Sequence, residues 1–311
     1  MESGKSITTQ IDSDGVFLSH VKDTGSDRVF TITNYVVLGI LLLGVIAPLL
    51  HVLASSFSST VAVMSGHVLL WPVDFSLTGY EAVFNYKRVW SGLGNSLFYS
   101  VFGTLVNVIM TFLAAYPLAR EKLPGRKFFT FLFLFTMLFH GGLIPTYLNL
   151  QKLGLLDTRW VMILPKSIAI WNLLITITYL RTTIPPEIHD AAQIDGCSDF
   201  RYLISVVLPL SKPIIAVIAL FYAVQHWNTY FDALIYLRDH GLHPLQIVLR
   251  EILVLQEVEM GDIDLHEYYK LMGLKELLKY ALIVVAAFPI LVVYPFVQKY
   301  FIKGMMIGSV K

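Results

Sequence analysis

Residues 89–127 read VWSGLGNSLFYSVFGTLVNVIMTFLAAYPLAREKLPGRK. From Val89 to Ala119 there is no Asp, Glu, Lys or Arg, and the eight residues that follow are strongly basic. A helix rises about 1.5 Å per residue and the hydrocarbon core of a bilayer is about 30 Å thick, so about 20 apolar residues cross it. The stretch therefore reads as a membrane span. The loop Arg120-Glu121-Lys122-Leu123-Pro124-Gly125-Arg126-Lys127 marks its cytoplasmic end, because short basic loops are retained on that side.

The rest of the chain repeats the pattern. Of 311 residues, 56% are hydrophobic and 14% charged, against about 25% charged in a soluble domain. The charges cluster between apolar tracts. Five further tracts qualify as spans: Val29 to Ala54, Phe128 to Leu148, Val161 to Leu180, Pro213 to Phe231 and Tyr280 to Val297. The predicted class is an all-α membrane protein with six transmembrane helices. Span four decides the count, because Lys166 near its outer end must snorkel or face protein. Without it there are five spans and the C-terminus changes side.

Charge sets the predicted orientation. Lys22, Arg28, Arg181, Arg201, Lys299, Lys303 and Lys311 fall on the same side as the basic loop, which places both termini in the cytoplasm. Residues 1–28 are polar, carry no cleavable signal pattern and read as a cytoplasmic tail; residues 29–311 form the membrane domain. The outer segments 55–88 and 232–278 exceed simple turns, and the second contains an amphipathic helix, Leu245 to Glu257. Two readings stand for both segments: caps on the bundle, or a receiving surface for an external partner. Net charge is +1, so no nucleic-acid partner is implied. The single Cys197 excludes an intrachain disulfide.

Between spans four and five runs Ile184-Pro185-Pro186-Glu187-Ile188-His189-Asp190-Ala191-Ala192-Gln193-Ile194-Asp195-Gly196-Cys197-Ser198-Asp199-Phe200, continuing to Leu208-Pro209. Physically this is helix, turn and helix. Pro185-Pro186 stops span four and opens a new helix. Glu187 and Asp190 suit its positive N-terminal end. Gly196 suits the left-handed stop, and Ser198 or Asp199 caps the next helix. Ala191 and Ala192 admit close approach by another backbone, with acidic groups beside them. Capped short helices also serve as ordinary linkers, so capping alone does not decide the role.

The ordered combination resembles the EAA loop of binding-protein-dependent ABC importer permeases. Asp190-Ala191-Ala192 matches the acidic-Ala-Ala core, with Asp where Glu is usual, and Gly196 matches the motif glycine, followed by Cys197 where Ala is usual. Ser55-Ser56-Phe57-Ser58 with Trp71-Pro72, Trp227-Asn228-Thr229-Tyr230-Phe231-Asp232-Ala233-Leu234, and the ending Tyr300 to Lys311 resemble the carbohydrate-type, maltose-type second permease. His243-Pro244-Leu245-Gln246 with Leu249-Arg250-Glu251-Ile252 is similar to the branch serving complex oligosaccharides and alginate-like polysaccharides.

The resemblance implies a type I ABC importer permease fold with a coupling-helix segment at 185–209. It implies docking of an ATPase subunit through Glu187, Asp190, Ala191, Ala192, Asp195 and Gly196, and through Lys303, Gly304 and Gly308 of the tail. The implied partners are a homologous second permease, two ATPase subunits, an extracytoplasmic solute-binding protein and the bilayer. No cofactor is implied in this chain; ATP and Mg belong to the partner ATPases.

Other motifs mislead or are missing. Gly4-Lys5-Ser6 lacks the first glycine and preceding strand of a phosphate-binding loop, and no nucleophile elbow appears. His240 and His243 are near neighbours, but Gly241 and Pro244 break any helix between them, which argues against a metal site. The solute path is sought where aromatic faces meet hydrogen-bonding groups. Tyr222, His226 and Tyr230 fall on one predicted helix face, with Trp227, Asn228 and Phe231 beside them, and His140 and Tyr147 lie near the outer end of span three. The alternative is an aromatic belt at the lipid interface, with His140 and His226 neutral and hydrogen-bonded inside the bundle. A secondary transporter would require carboxylates in the spans, which are almost absent. Within the importer reading, the alternative solute is glycerol-phosphate-like or another small polar molecule.

Overall fold

The computed structural model describes residues 7–11, 17–21, 25–252 and 265–307. Two short strands, β1 (Ile7–Ile11) and β2 (Phe17–Val21), pair antiparallel with Ile7 opposite Val21. They lie in the segment read as a tail, and they depart from a purely helical expectation. Among the described residues the regular elements after them are helices: α1 (Gly25–Ser56), α2 (Thr60–Met64), α3 (Thr78–Asn85), α4 (Lys87–Ala119), α5 (Arg126–Leu138), α6 (Leu143–Lys152), α7 (Ile170–Thr183), α8 (Pro186–Ile194), α9 (Asp199–Tyr202), α10 (Leu208–Leu210), α11 (Lys212–Trp227), α12 (Phe231–Tyr236), α13 (Leu245–Arg250) and α14 (Leu265–Ile307).

Three helices among the described residues are long and apolar enough to cross a membrane: α1, α4 and the Gly273–Pro295 part of α14. The count reaches five if two bent pairs are each taken as one span. The expected span Phe128–Leu148 is one of them. It breaks into α5 and α6, bent by 114°. Gly142 at the break has φ 85° and ψ 170°, a backbone region reserved for glycine, and Pro145 opens the next turn. The second pair is Asp199–Leu210 with α11, bent by 82°. Here Leu203–Val207 forms a wide π turn just ahead of Pro209, and Pro213 starts α11 after Ser211.

The expected span Val161–Leu180 is also corrected. Nearly half of it, up to Ala169, is a 3-10 turn (Arg159–Met162) and irregular chain, and regular helix begins only at Ile170. Pro165 removes a helical donor there. Lys166 is exposed and pairs with Asp232 at 2.5 Å.

α1 explains itself by composition. Its side chains from Val29 to Leu53 are mostly exposed and apolar around the whole circumference, which suits lipid and not water. The core forms around α4 instead, packed by α7, α11 and α13, with α14 lying against α11, α13 and α3. One apolar cluster, including Phe112, Leu173, Leu180, Tyr202 and Ile218, sits at the α8 end. Two others sit toward the α13 end, one around Val89, Trp227 and Leu282, the other around Tyr99, Ile163 and Ile247.

Candidate functional site

At the α8 end the sequence builds a short helix opened by proline and closed by glycine. Pro185 is extended and Pro186 occupies the first helical position, where its missing N–H costs nothing. At the other end the Gly196 N–H donates to the Gln193 carbonyl at 3.0 Å, and the Cys197 N–H to the Ala192 carbonyl at 2.9 Å. This is a Schellman stop. Gly196 has φ 69°, and a Cβ there would meet nothing within 4 Å. Ser198 then caps α9, accepting from the Arg201 N–H.

No residue of α8 is buried. Ala192 and Cys197 pack against the apolar cluster, whereas Glu187, Asp190, Ala191 and Asp195 point outward. Ile194 is 87% exposed and Phe200 66% exposed, so an apolar knob stands beside the acidic face. The segment is fastened to the basic loop after α4. Arg120 pairs with Asp199 at 2.8 Å, Lys122 with Asp190 at 3.4 Å, and His189 approaches Asp199 at 3.4 Å while standing edge-on to Tyr202. The Arg120 hydrogen bond holds the Asp199 carboxyl below its usual range, with His189 adding to it. A cleft of about 490 Å³ opens between this loop and α8, lined by Arg120, Lys122, Arg181, Pro186 and Asp190 among others.

The middle of α4 carries a buried polar face at four-residue spacing. Asn95, Tyr99, Gly103, Asn107, Thr111 and Ala115 all lie on it. Asn107 Nδ2 donates to the Lys166 carbonyl at 3.3 Å. The Thr111 and Tyr222 hydroxyls meet at 2.7 Å, and the Tyr222 oxygen accepts the Ala169 N–H at 3.1 Å. Irregular backbone inside a bundle is tolerated only where protein groups satisfy it. Asn107 and Tyr222 do that for the stretch that replaces the first part of span four.

This geometry divides the expected path residues. Tyr222 and His226 are buried against α4, with the His226 ring filling the space over Gly103. Trp227 is buried against α14, its Nε1 donating to the Ala286 carbonyl at 3.0 Å. α11 ends at Trp227, so Tyr230 is not on the helical face predicted for it. Asn228, Tyr230 and Phe231 are exposed at the break that follows. Tyr147 stacks on Tyr236 and accepts from Arg238, and His140 is exposed in the α5–α6 break. Lys303 and Gly304 lie within α14, while Gly308 is outside the described residues.

At the α13 end, Asn95 donates to the Gly241 and His243 carbonyls and accepts from Arg159, Tyr99 donates to the Leu242 carbonyl, and Ser96 accepts the Leu245 N–H. Sequence reasoning missed this anchoring of residues 241–245. The four-residue spacing of Asn95, Tyr99 and Asn107 in an otherwise charge-free span was the available signal. The predicted helix Leu245–Glu257 is present as α13 from Leu245 to Arg250; residues 253–257 lie outside the described residues.

Comparison with known proteins agrees with this architecture. Residues 89–307 match the sequence profile of the family described as binding-protein-dependent transport system inner membrane component. Protein LplC of Bacillus subtilis (strain 168) is 42% identical over 289 residues, covering 93% of this chain and 97% of that one. The polygalacturonan/rhamnogalacturonan transport system permease protein YtcP of the same organism is 42% identical over 290 residues, covering 92% and 99%. Among solved structures, a chain of a bacterial ABC transporter involved in the import of the acidic polysaccharide alginate superposes with a TM-score of 0.83 at 36% identity, covering 90% of this chain and 99% of that one.

Proposed function

This chain belongs to the family of binding-protein-dependent transport system inner membrane components, and from that premise we propose that it is one permease subunit of an ATP-driven importer for carbohydrate, of the acidic oligosaccharide kind. The observation that carries the coupling role is α8, a helix opened by Pro185-Pro186 and stopped at Gly196, with no buried residue and with Ile188, Ile194 and Phe200 exposed beside Glu187, Asp190 and Asp195. Such a surface is suited to a cleft on an ATPase subunit. The solute class rests on the relatives, one named for polygalacturonan/rhamnogalacturonan transport and one involved in the import of the acidic polysaccharide alginate.

In this proposal α1, α4, α5 with α6, α7, α11 and α14 supply six crossings. Both termini and α8 face the cytoplasm. A homologous second permease completes the path, two partner ATPases bind ATP and Mg, and an extracytoplasmic binding protein delivers solute. α8 connects directly to α7 through Pro185 and to α11 through α9 and α10. A shift of the ATPase cleft would therefore move α7 and α11 against α4, and would alternate access by favouring one of two packings. The buried polar contacts of Asn107, Thr111 and Tyr222 lie on the surfaces that would move.

Reconstitution tests this. The chain, co-expressed with its partners and placed in liposomes with the binding protein, should take up labelled oligogalacturonate or oligoalginate only with internal ATP. Uptake driven by an ion gradient without ATP would contradict the importer reading. ATP-driven uptake of glycerol phosphate but no oligosaccharide would replace the solute class.

A further inference from the structure

The α13 end holds three side chains that the importer reading leaves unused. His240, His243 and Glu251 each bring one ligand atom to within 4.8 Å of the others. The 3-10 turn His240–Leu242 folds the two imidazoles together, with centroids 4.9 Å apart and planes nearly perpendicular. The helix-breaking residues Gly241 and Pro244, which argued against a site in the sequence, create this turn. Glu251 arrives from the end of α13, its Oε1 3.8 Å from His243 Nδ1.

Two further observations point to a cation. The first is His243. Its side chain is 9% exposed, and neither ring nitrogen has a hydrogen-bond partner of good geometry. A polar group left buried and unpaired is destabilising, so a ligand on this ring would be favoured. The second is Arg88. Its guanidinium meets Glu251 at 2.7 and 3.1 Å and His240 Nδ1 at 3.2 Å. Two members of the triad thus already share one cation, carried on a side chain that is 36% exposed and able to swing outward.

We propose that His240, His243 and Glu251 form a three-ligand site for a zinc-type divalent cation, with Arg88 standing in that cation's place in the metal-free protein. Two imidazoles and a carboxylate with one open position suit zinc, whereas calcium and magnesium favour oxygen ligands. Bonds of about 2.0–2.1 Å place tetrahedral ligand atoms about 3.3 Å apart, so the cluster tightens by about 1.5 Å on binding. The exposed His240 and the half-buried Glu251 supply that movement while His243 stays fixed. Binding would clip the 240–243 turn to the end of α13 and free Arg88, at the start of α4, from Glu251. The proposal does not depend on the importer reading.

The test uses the full chain in detergent, purified without an oligohistidine tag. Zinc chloride is titrated by calorimetry, with calcium and magnesium chloride as controls, and X-ray absorption is recorded on the zinc-loaded protein. One equivalent of zinc with mixed imidazole and oxygen ligation is expected. His243→Ala and His240→Ala should each weaken it by on the order of tenfold or more, since loss of even an outer-shell contact costs 10–100-fold. Arg88→Gln should tighten it. His240 is exposed, so that variant remains informative if His243→Ala misfolds. The proposal is overturned by the absence of saturable zinc binding, by equal affinity for calcium, or by unchanged zinc affinity in His240→Ala.

Discussion

Gly103→Ala should drive α4 and α11 apart. A Cβ at Gly103 would lie 2.4 Å from His226 Nε2, 2.6 Å from Cε1 and 2.7 Å from Cδ2. Non-bonded carbon atoms rest at about 3.5–4.0 Å, so the ring or the helix must move by about 1 Å. His226 is 3% exposed, so its ring cannot escape into solvent without disturbing its neighbours. Overpacking of this kind costs about 1–3 kcal/mol, and a chain of this size loses about 2–4 °C of melting temperature per kcal/mol. Thermal unfolding of the purified chain in detergent should therefore begin about 2–12 °C lower. The double-mutant cycle sharpens the test. In a His226→Ala background the same substitution enters an emptied space, so its cost should fall by about 1 kcal/mol or more. A neutral Gly103→Ala, or an equal cost in both backgrounds, would refute the claim that these helices touch through that pair.

Tyr222→Phe removes the partner of the Thr111 hydroxyl and of the Ala169 N–H, so it should cost about 1–3 kcal/mol in the same melt; an unchanged melt would show the irregular stretch does not lean on Tyr222. Gly196→Ala should cost about 1 kcal/mol through its positive φ alone, and Gly196→Asn less, because Asn tolerates that region; equal effects would contradict the Schellman assignment. The Asp199 carboxyl is held low chiefly by Arg120. Its stabilisation is present above the unfolded value of about 3.9 and is lost as pH falls through the lower folded value. Being largely exposed, the pair is worth at most about 1 kcal/mol. Asp199→Asn should flatten the acid side of the stability profile, measured by denaturant midpoint, and an unaltered slope would remove the pair from the account.

The sequence showed most clearly what local chemistry controls. Charge-free tracts announced α1 and α4. Pro185-Pro186, Gly196 and Ser198 sit at the caps their chemistry demands. Where a span is broken, tertiary contacts decided the outcome. Gly141-Gly142 followed by Pro145 was a break signal inside an apolar run, and Pro165 beside Lys166 was another. Hydropathy alone masks both, because irregular backbone in a bundle is stable only with partners such as Asn107 and Tyr222, which come from distant parts of the chain. The shared face of Tyr222, His226 and Tyr230 failed at its last member because α11 stops at Trp227. Glu251 joined His240 and His243 only through the fold, across a gap in sequence that no spacing rule covers.

The central claim is that α8 couples this chain to a nucleotide-driven partner. Ala191 is exposed while Ala192 packs inward, so Ala191→Arg alters the outward face and leaves the bundle intact. Vanadate-sensitive ATPase activity of the reconstituted complex, stimulated by binding protein and oligosaccharide, measures the coupling. The account predicts that Ala191→Arg abolishes the stimulation and the uptake while the chain still inserts and melts like wild type. Stimulation and uptake equal to wild type in that variant would contradict it.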